Sequence, residues 1–155
     1  MIRLIAAVDT ARGIATSTGI PWRLPGDSAY FREQTKQGLI VMGSATYTEF
    51  AAPLHGRTNY VLTSRKGPLR EGFEPVAGLD DLPPGDTWVI GGATVYAATV
   101  GRADDLYLTQ VLADFHCTKF FPAYEDDFER TARSDEREEG GVAYRFEVWR
   151  RRRVR

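Results

Sequence analysis

The chain has 155 residues, of which 43% are hydrophobic and 26% charged, with a formal net charge of -1. That is material for one domain with one sizeable core, expected over 1–155, and so balanced a charge excludes a global bias toward nucleic acid or anionic membrane. Cys117 is the lone cysteine, so no internal disulfide can form and a reducing cytoplasm is expected.

The elements follow in chain order. IRLIAAV (2–8) is a nearly continuous apolar run, the pattern of a strand buried on both faces. The run stops at Asp9, too short for a signal segment or a membrane span, so nothing is expected to be removed. DTARGIATSTG (9–19) reads as a loop. Gly26 to Gln37 reads as a helix, with Pro25 near its first turn and Gly38 just past its end. LIVMG (39–43) is a buried strand, SATYTEF (44–50) a short helix and TNYVLTS (58–64) a third strand. Residues 65–86 read as loops, with a short strand near Phe73–Val76 and a helical turn around Leu79–Leu82. TWVIGG (87–92) is a strand ending in a glycine pair, ATVYAATV (93–100) a helix and LYLTQVL (106–112) a strand. VAYRFEVWR (142–150) alternates strictly, the period of an antiparallel strand near an edge. The arginine-rich end after it reads as a solvated strand terminus rather than a nucleic-acid patch. Strands alternating with short helices give an α/β class: a mostly parallel sheet with an antiparallel C-terminal strand and helices on both faces.

Three stretches carry chemistry. In IPWRLPGDSAYF (20–31), Asp27 sits among Trp22, Leu24, Tyr30 and Phe31. Asp27 and Phe31 are four apart and share a helix face. An acid in the first helical turn is ordinary; an acid on the apolar face of its own helix is not, unless something binds it. In WVIGGATVYAATV a strand runs into two glycines and then a helix, so a backbone comes close to a ligand and helix N–H groups face an anion. VMGSAT (41–46) repeats strand, glycine and helix start, and VLTSR (61–65) ends a strand in Thr63, Ser64 and Arg65. Together these suit the two phosphates of a dinucleotide, although no GxGxxG fingerprint is present. His55, His116 and Cys117 lack ligand spacing, so no metal is expected. No GxSxG nucleophile motif occurs, and Lys36 and Lys66 read as surface groups.

The segments LIAAV, IPWRLPGDSAYF, IVMG, LHGRTNYVLTSR, WVIGGATVY, LYLT and FFP, in this order and spacing, make the chain similar to the dihydrofolate reductase family over nearly its whole length. The resemblance implies an eight-stranded mixed sheet and NADPH-dependent reduction of 7,8-dihydrofolate to tetrahydrofolate. It implies that Asp27 binds the pterin, with Thr109 supporting the carboxylate and Trp22 beside it in the catalytic group. Ile5, Ala6, Phe31 and Ile90 would line the pterin pocket, Phe50 and Leu54 the benzoyl part, and Arg57 would pair with the glutamate α-carboxylate. Ala7, Ile14 and Ile20 would border the nicotinamide. Gly43, Ser44, Ala45, Thr46, Leu62, Thr63, Ser64, Arg65, Ile90, Gly91, Gly92, Ala93, Thr94, Val95 and Tyr96 would hold the cofactor. The pair Gly91-Gly92 resembles the family's cis glycine pair. Antifolate inhibitors are implied ligands, with Ser28 and Phe50 in their region.

The chain departs from the family at three places. Ser44 and Ala45 stand where an arginine or lysine usually grips the 2′-phosphate, leaving that task to Arg65 with Thr63 and Ser64. Thr94 stands where an arginine or glutamine is common. Ala15 and Thr118-Lys119 replace a glycine and an acid in two loops that gate the cofactor pocket, removing one hydrogen bond between them. Two other readings share these features: a same-fold NADPH-dependent reductase of another heterocycle, such as the pyrimidine reductase of riboflavin synthesis, or a non-catalytic folate- or nucleotide-binding protein. Asp27 and Arg57 argue against the first; intact Trp22, Asp27, Thr109 and Gly91-Gly92 argue against the second. Size and charge allow a monomer.

Overall fold

The computed structural model describes residues 1–64 and 67–153. The first half of the chain forms β1 (Ile2–Val8), β2 (Gly13–Ala15), α1 (Pro25–Thr35), β3 (Leu39–Gly43), α2 (Ser44–Glu49), β4 (Thr58–Leu62) and β5 (Phe73–Val76). A 3-10 turn at Leu79–Asp81 leads to β6 (Thr87–Val89) and α3 (Ala93–Thr99). The chain ends with β7 (Asp105–Val111), β8 (Lys119–Phe120), β9 (Phe128–Arg133), β10 (Arg137–Glu139) and β11 (Val142–Arg151).

The main sheet runs β10-β11-β7-β1-β6-β3-β4-β5, with β9 also paired to β11. Strands β7, β1, β6, β3, β4 and β5 are mutually parallel. β11 is antiparallel to β7 on one side and to β9 and β10 on the other. β9 and β10 are thus two pieces of one edge position. The break between them is spanned at Ser134, whose N–H donates to the Phe146 carbonyl at 2.8 Å and whose hydroxyl accepts from the Phe146 N–H at 2.9 Å. The expected eight-stranded mixed sheet is therefore present, and β11 lies one position in from the edge.

Side chains alternate across the sheet as a strand requires. Leu4 and Val8 of β1, Val41 of β3 and Leu106 and Leu108 of β7 join one buried cluster with Tyr96 of α3. Ile5, Ile40, Met42 and Val61 join another with Tyr47 of α2, with Phe31 of α1 packed against it. A third cluster of Trp22, Leu24, Val111, Cys117, Tyr144 and Phe146 continues that second face, with Ala7 and Tyr30 against it. So α1 and α2 cover one face and α3 the other, as expected. Gly38 ends the α1 connection at φ 112, where an added Cβ would lie 2.7 Å from the Asp86 carbonyl.

The strict alternation of β11 concealed a buried acid. Glu147 is 6% exposed, on the face opposite Phe146. Its Oε1 accepts from Gln110 Nε2 at 3.0 Å and Trp149 Nε1 at 2.9 Å, and Arg130 lies 3.4 Å from Oε2. The arginine-rich end is also more engaged than a solvated terminus. Arg151 donates to the Ala103 and Val100 carbonyls at 2.7 and 2.5 Å, and Arg150 lies 3.3 Å from the buried Asp105. Glu147→Ala strands the Trp149 N–H and should cost about 3 kcal/mol of unfolding free energy. Urea-induced unfolding reads this directly; an unchanged midpoint would mean the freed donors are rehydrated.

Candidate active site

Asp27 occupies the first turn of α1, half-buried. Its Oδ1 accepts from the Thr109 hydroxyl at 2.5 Å. Thr109 is buried in β7, in register with Ala7 of β1 and Phe146 of β11, so a central strand carries the donor. Burial raises the pKa of the Asp27 carboxyl; the Thr109 bond pulls it down and the negative charge of Glu139 adds to the rise. Trp22 is buried in the cluster with Leu24, Val111 and Phe146, its ring 5.3 Å from that of Phe115 in an edge-on contact.

The expected pterin and benzoyl walls converge. Ile5, Phe31, Phe50, Leu54 and Ile90 belong to one cluster on the α1 face, together with Tyr30 and Tyr107. The Ala6 side chain packs with the cluster on the other face, so the structure does not bring it to this wall. Arg57 is fixed at the far end: its Nε donates to Thr35 O at 2.7 Å, and its two terminal nitrogens donate to His55 O and Arg32 O at 3.1 and 3.0 Å. A guanidinium has five N–H donors. Three are held by main-chain carbonyls, so among the described residues each terminal nitrogen keeps one donor for an acidic group.

The glycine turn meets this wall through Tyr96. The Tyr96 hydroxyl donates to the Ile5 carbonyl at 2.6 Å, and a Cβ on Gly91 would lie 3.4 Å from that hydroxyl. The Gly91-Gly92 peptide is cis, and the Gly91 carbonyl accepts from the Gly43 N–H at 2.8 Å. The two strand-glycine-helix turns are therefore joined side by side. Thr46 stands over the pair, with its hydroxyl 3.4 Å from where a Gly92 Cβ would be. Ser44 and Ala45 are exposed at the start of α2, and Ala93 is half-buried at the start of α3.

Beyond the turn lies a cavity of about 490 Å³ whose lining includes Leu62, Thr63, Ser64, Thr94, Val95 and Arg102. Arg65 lies outside the described residues. Arg102 was not anticipated; it is paired with Asp80 at 2.9 Å. This open, hydroxyl-rich cavity beside a side-chain-free turn fits the phosphates and adenosine end of a dinucleotide, with mainly neutral donors. Ile14 packs against the α3-side cluster, whereas Ile20 is 66% exposed and joins none.

The two loops around Ala15 and Thr118-Lys119 are joined by groups that sequence reading passed over. Asp9 is 1% exposed. Its Oδ1 accepts from the Ala11 and Gly13 N–H groups at 2.9 and 2.7 Å, and its Oδ2 from Phe115 N–H at 3.0 Å. One carboxylate thus holds both loops. β2 and β8 also pair, and Thr118 N–H donates to Ala15 O at 2.9 Å. An acid ending an apolar run before small residues and a glycine was the available signal. Burial pushes the Asp9 carboxyl up, but the N–H groups of Phe115, Gly13 and Ala11 and the Cys117 thiol outweigh it, so its pKa is lowered. Among the described residues no group of His, Cys, Asp and Glu could hold a metal ion.

Comparison with known proteins agrees with this geometry. A family model described as dihydrofolate reductase matches residues 1–151. The dihydrofolate reductase of Bacillus subtilis (strain 168) is 35% identical over 131 residues, covering 81% of this chain and 78% of that protein. The dihydrofolate reductase of Staphylococcus aureus (strain N315) is 30% identical over 125 residues, 79% of each. Among solved structures, dihydrofolate reductase from Enterococcus faecalis complexed with NADP(H) and RAB-propyl superposes with a TM-score of 0.85 at 27% identity, over 97% of this chain and 96% of that one.

A lowered carboxylate pKa contributes stability above the unfolded value of about 3.9 and loses it as pH falls through the folded value. Thermal unfolding between pH 7 and 3 should therefore show Asp9→Asn less stable than the native protein at pH 7, with a flatter acid limb. Parallel limbs would remove Asp9 as an anchor. With a matching fold, a carboxylate backed by Thr109, a cis glycine pair and the relatives above, the chain belongs to the dihydrofolate reductase family.

Proposed function

We infer that the chain reduces 7,8-dihydrofolate to 5,6,7,8-tetrahydrofolate with NADPH, and that Asp27 is the group that binds and polarises the pterin. The observation that carries the role of Asp27 is its place: a half-buried carboxylate with one oxygen tied to Thr109 and an apolar wall around it. An acid so held accepts hydrogen bonds from a ring nitrogen and its exocyclic amine, the pairing a pterin offers. Ile5, Phe31 and Ile90 exclude water from the ring, and Phe50 and Leu54 take the benzoyl group. The free fork of Arg57 takes the glutamate carboxylate, which favours folate over a heterocycle without an acidic tail.

NADPH supplies the hydride. The protein's part is orientation and proton placement. Ala7, Ile14 and Ile20 border the nicotinamide. Gly43, Ser44, Ala45, Thr46, Gly91, Gly92, Ala93 and Tyr96 form the turn beside the cofactor. Leu62, Thr63, Ser64, Arg65, Thr94 and Val95 hold its far end. Asp27 draws the pterin into a tautomer that takes a proton at N5, and a water molecule delivers it. Trp22 and Thr109 fix the acid's orientation. One domain acting as a monomer in the cytoplasm, without nucleic acid, is consistent with the lone Cys117 and a net charge of -1. No described helix is long and apolar enough to cross a membrane.

Asp27→Asn should lose about 10²–10⁴-fold in kcat at neutral pH, the range for a lost acid–base group, read by NADPH absorbance decay. The same change should raise the Tm of the ligand-free protein. A carboxyl whose pKa is raised by burial is favourable to folding below its unfolded value and loses that advantage as pH rises through the folded one, so its ionised form is a burden at pH 7. Near-normal turnover would refute the role of Asp27. For the cofactor, kcat/KM with NADPH should exceed that with NADH; equal values would remove the phosphate contact given to Arg65.

A further inference from the structure

A second carboxylate is tied to the residue that precedes Asp27. Glu139 ends β10. Its neighbours Arg137 and Glu138 are exposed, but Glu139 is half-buried. Its Oε1 accepts the Gly26 N–H at 2.8 Å and the Tyr144 hydroxyl at 2.5 Å. Gly26 immediately precedes Asp27, and its N–H is a first-turn donor that no helix carbonyl can reach. Leu24, at the helix cap, offers no side-chain hydrogen bond, so Glu139 satisfies α1 from 113 positions away. The approach is too close for any side chain at position 26. An added Cβ would lie 2.5 Å from the Tyr144 hydroxyl and 2.6 Å from Glu139 Oε1.

The same junction is braced by rings. Tyr144 is 2% exposed and meets Phe146 edge-on at 5.6 Å, and Phe146 stacks on Tyr30 of α1 at 3.9 Å. We propose that Glu139 is a positioning residue for Asp27: oriented by Tyr144, it pins the first turn of α1 to β10 and β11 and keeps a second negative charge beside the pterin-binding acid. This rests on the assignment of Asp27 made above.

The two effects are separable. The hydrogen bonds set the backbone from which Asp27 projects. The charge opposes ionisation of Asp27, as a like charge does. The other groups facing Asp27 are Thr109 from β7, which donates to it, and the phenols of Tyr30, Tyr96 and Tyr144. Burial, with the Asp27 charge adding to it, pushes all three phenols up, Tyr30 to about 12, so none carries charge at neutral pH. Arg137, on the same strand as Glu139, lies over the Phe146 ring at 5.2 Å and opposes the effect of Glu139 on Tyr144.

Glu139→Gln keeps a carbonyl oxygen for both donors and removes the charge. The readout is a carbon-13 NMR titration of the Asp27 carboxyl in the full, ligand-free chain, with the signal identified by its loss in Asp27→Asn. The midpoint in Glu139→Gln should move to lower pH than in the native protein. Tyr144→Phe keeps the charge and loosens only its orientation, so its midpoint should move clearly less than that of Glu139→Gln. Glu139→Ala should lose up to about 10²-fold in kcat/KM for dihydrofolate, the scale of a misplaced catalytic group, with Gln restoring part of that loss. Superimposed native and Glu139→Gln titrations would overturn the proposal. So would an equal displacement in Tyr144→Phe, which would make the effect one of repacking. The titration needs no turnover, so a failure of the Asp27 mechanism is seen separately, as undiminished activity of Asp27→Asn.

Discussion

The Thr109 hydroxyl reaches from the middle of a parallel sheet to a carboxylate on the helix that covers it. That hydrogen bond sets what the surrounding chain must do. The acid is in apolar company, where an unpaired charge is costly, so one oxygen is satisfied from inside. Thr109 can do this because β7 lies between β1 and β11, with its side-chain direction fixed by the pleat. Ile5, Ala7, Tyr107, Thr109 and Val111 then all face α1. A one-residue slip of β7 would send the threonine to the α3 side and leave the acid without its donor.

The α1 face gains its shape from groups distant in sequence. Tyr30 stacks on Phe146, Trp22 meets Phe115, and Tyr96 crosses from the opposite face to the Ile5 carbonyl. The last contact couples the glycine turn to β1 through one hydroxyl. The loop pair has its own solution. Where the family's glycine and acid are replaced by Ala15 and Thr118-Lys119, a single buried carboxylate at Asp9 and the short β2–β8 ladder hold the two loops together.

Much of this was legible in the order of residues. Buried parallel strands announce themselves as continuous apolar runs, so β1, β3, β4 and β7 were visible, and Pro25 and Gly38 bracketed α1. Asp27 and the glycine pair were visible because each breaks a local expectation, whereas Thr109 entered only through the family resemblance. The strands that were missed are short or polar: β2, three residues inside the stretch 9–19 expected to be a loop, and β8, β9 and β10. In β9 only Phe128 is buried, and β8 and β10 have two and three residues, so neither apolar periodicity nor length marks them. Asp9, Glu139 and Glu147 were missed for a different reason. Glu139 and Glu147 look like ordinary surface acids until the chain folds and brings donors from far away, and Asp9, whose local donors were legible, meets its third only when Phe115 arrives. The Ala6 side chain, expected at the pterin wall, falls on the other face because its neighbour Ile5 takes the near one.

Cys117 shows what the latch at Asp9 means for the thiol beside it. An added Cβ on Gly13 would come within 2.8 Å of the Cys117 sulfur, so the two segments touch with no room between them. Burial, with the Asp9 charge adding to it, pushes the thiol up to about 11. At pH 7 only about one sulfur in 10⁴ is then a thiolate, the reactive form. Peroxides and electrophiles meet a group that is both shielded and protonated. The molecule's one cysteine is therefore protected by the same contacts that hold the two loops together, so a single carboxylate both fastens the chain and keeps its only thiol unreactive.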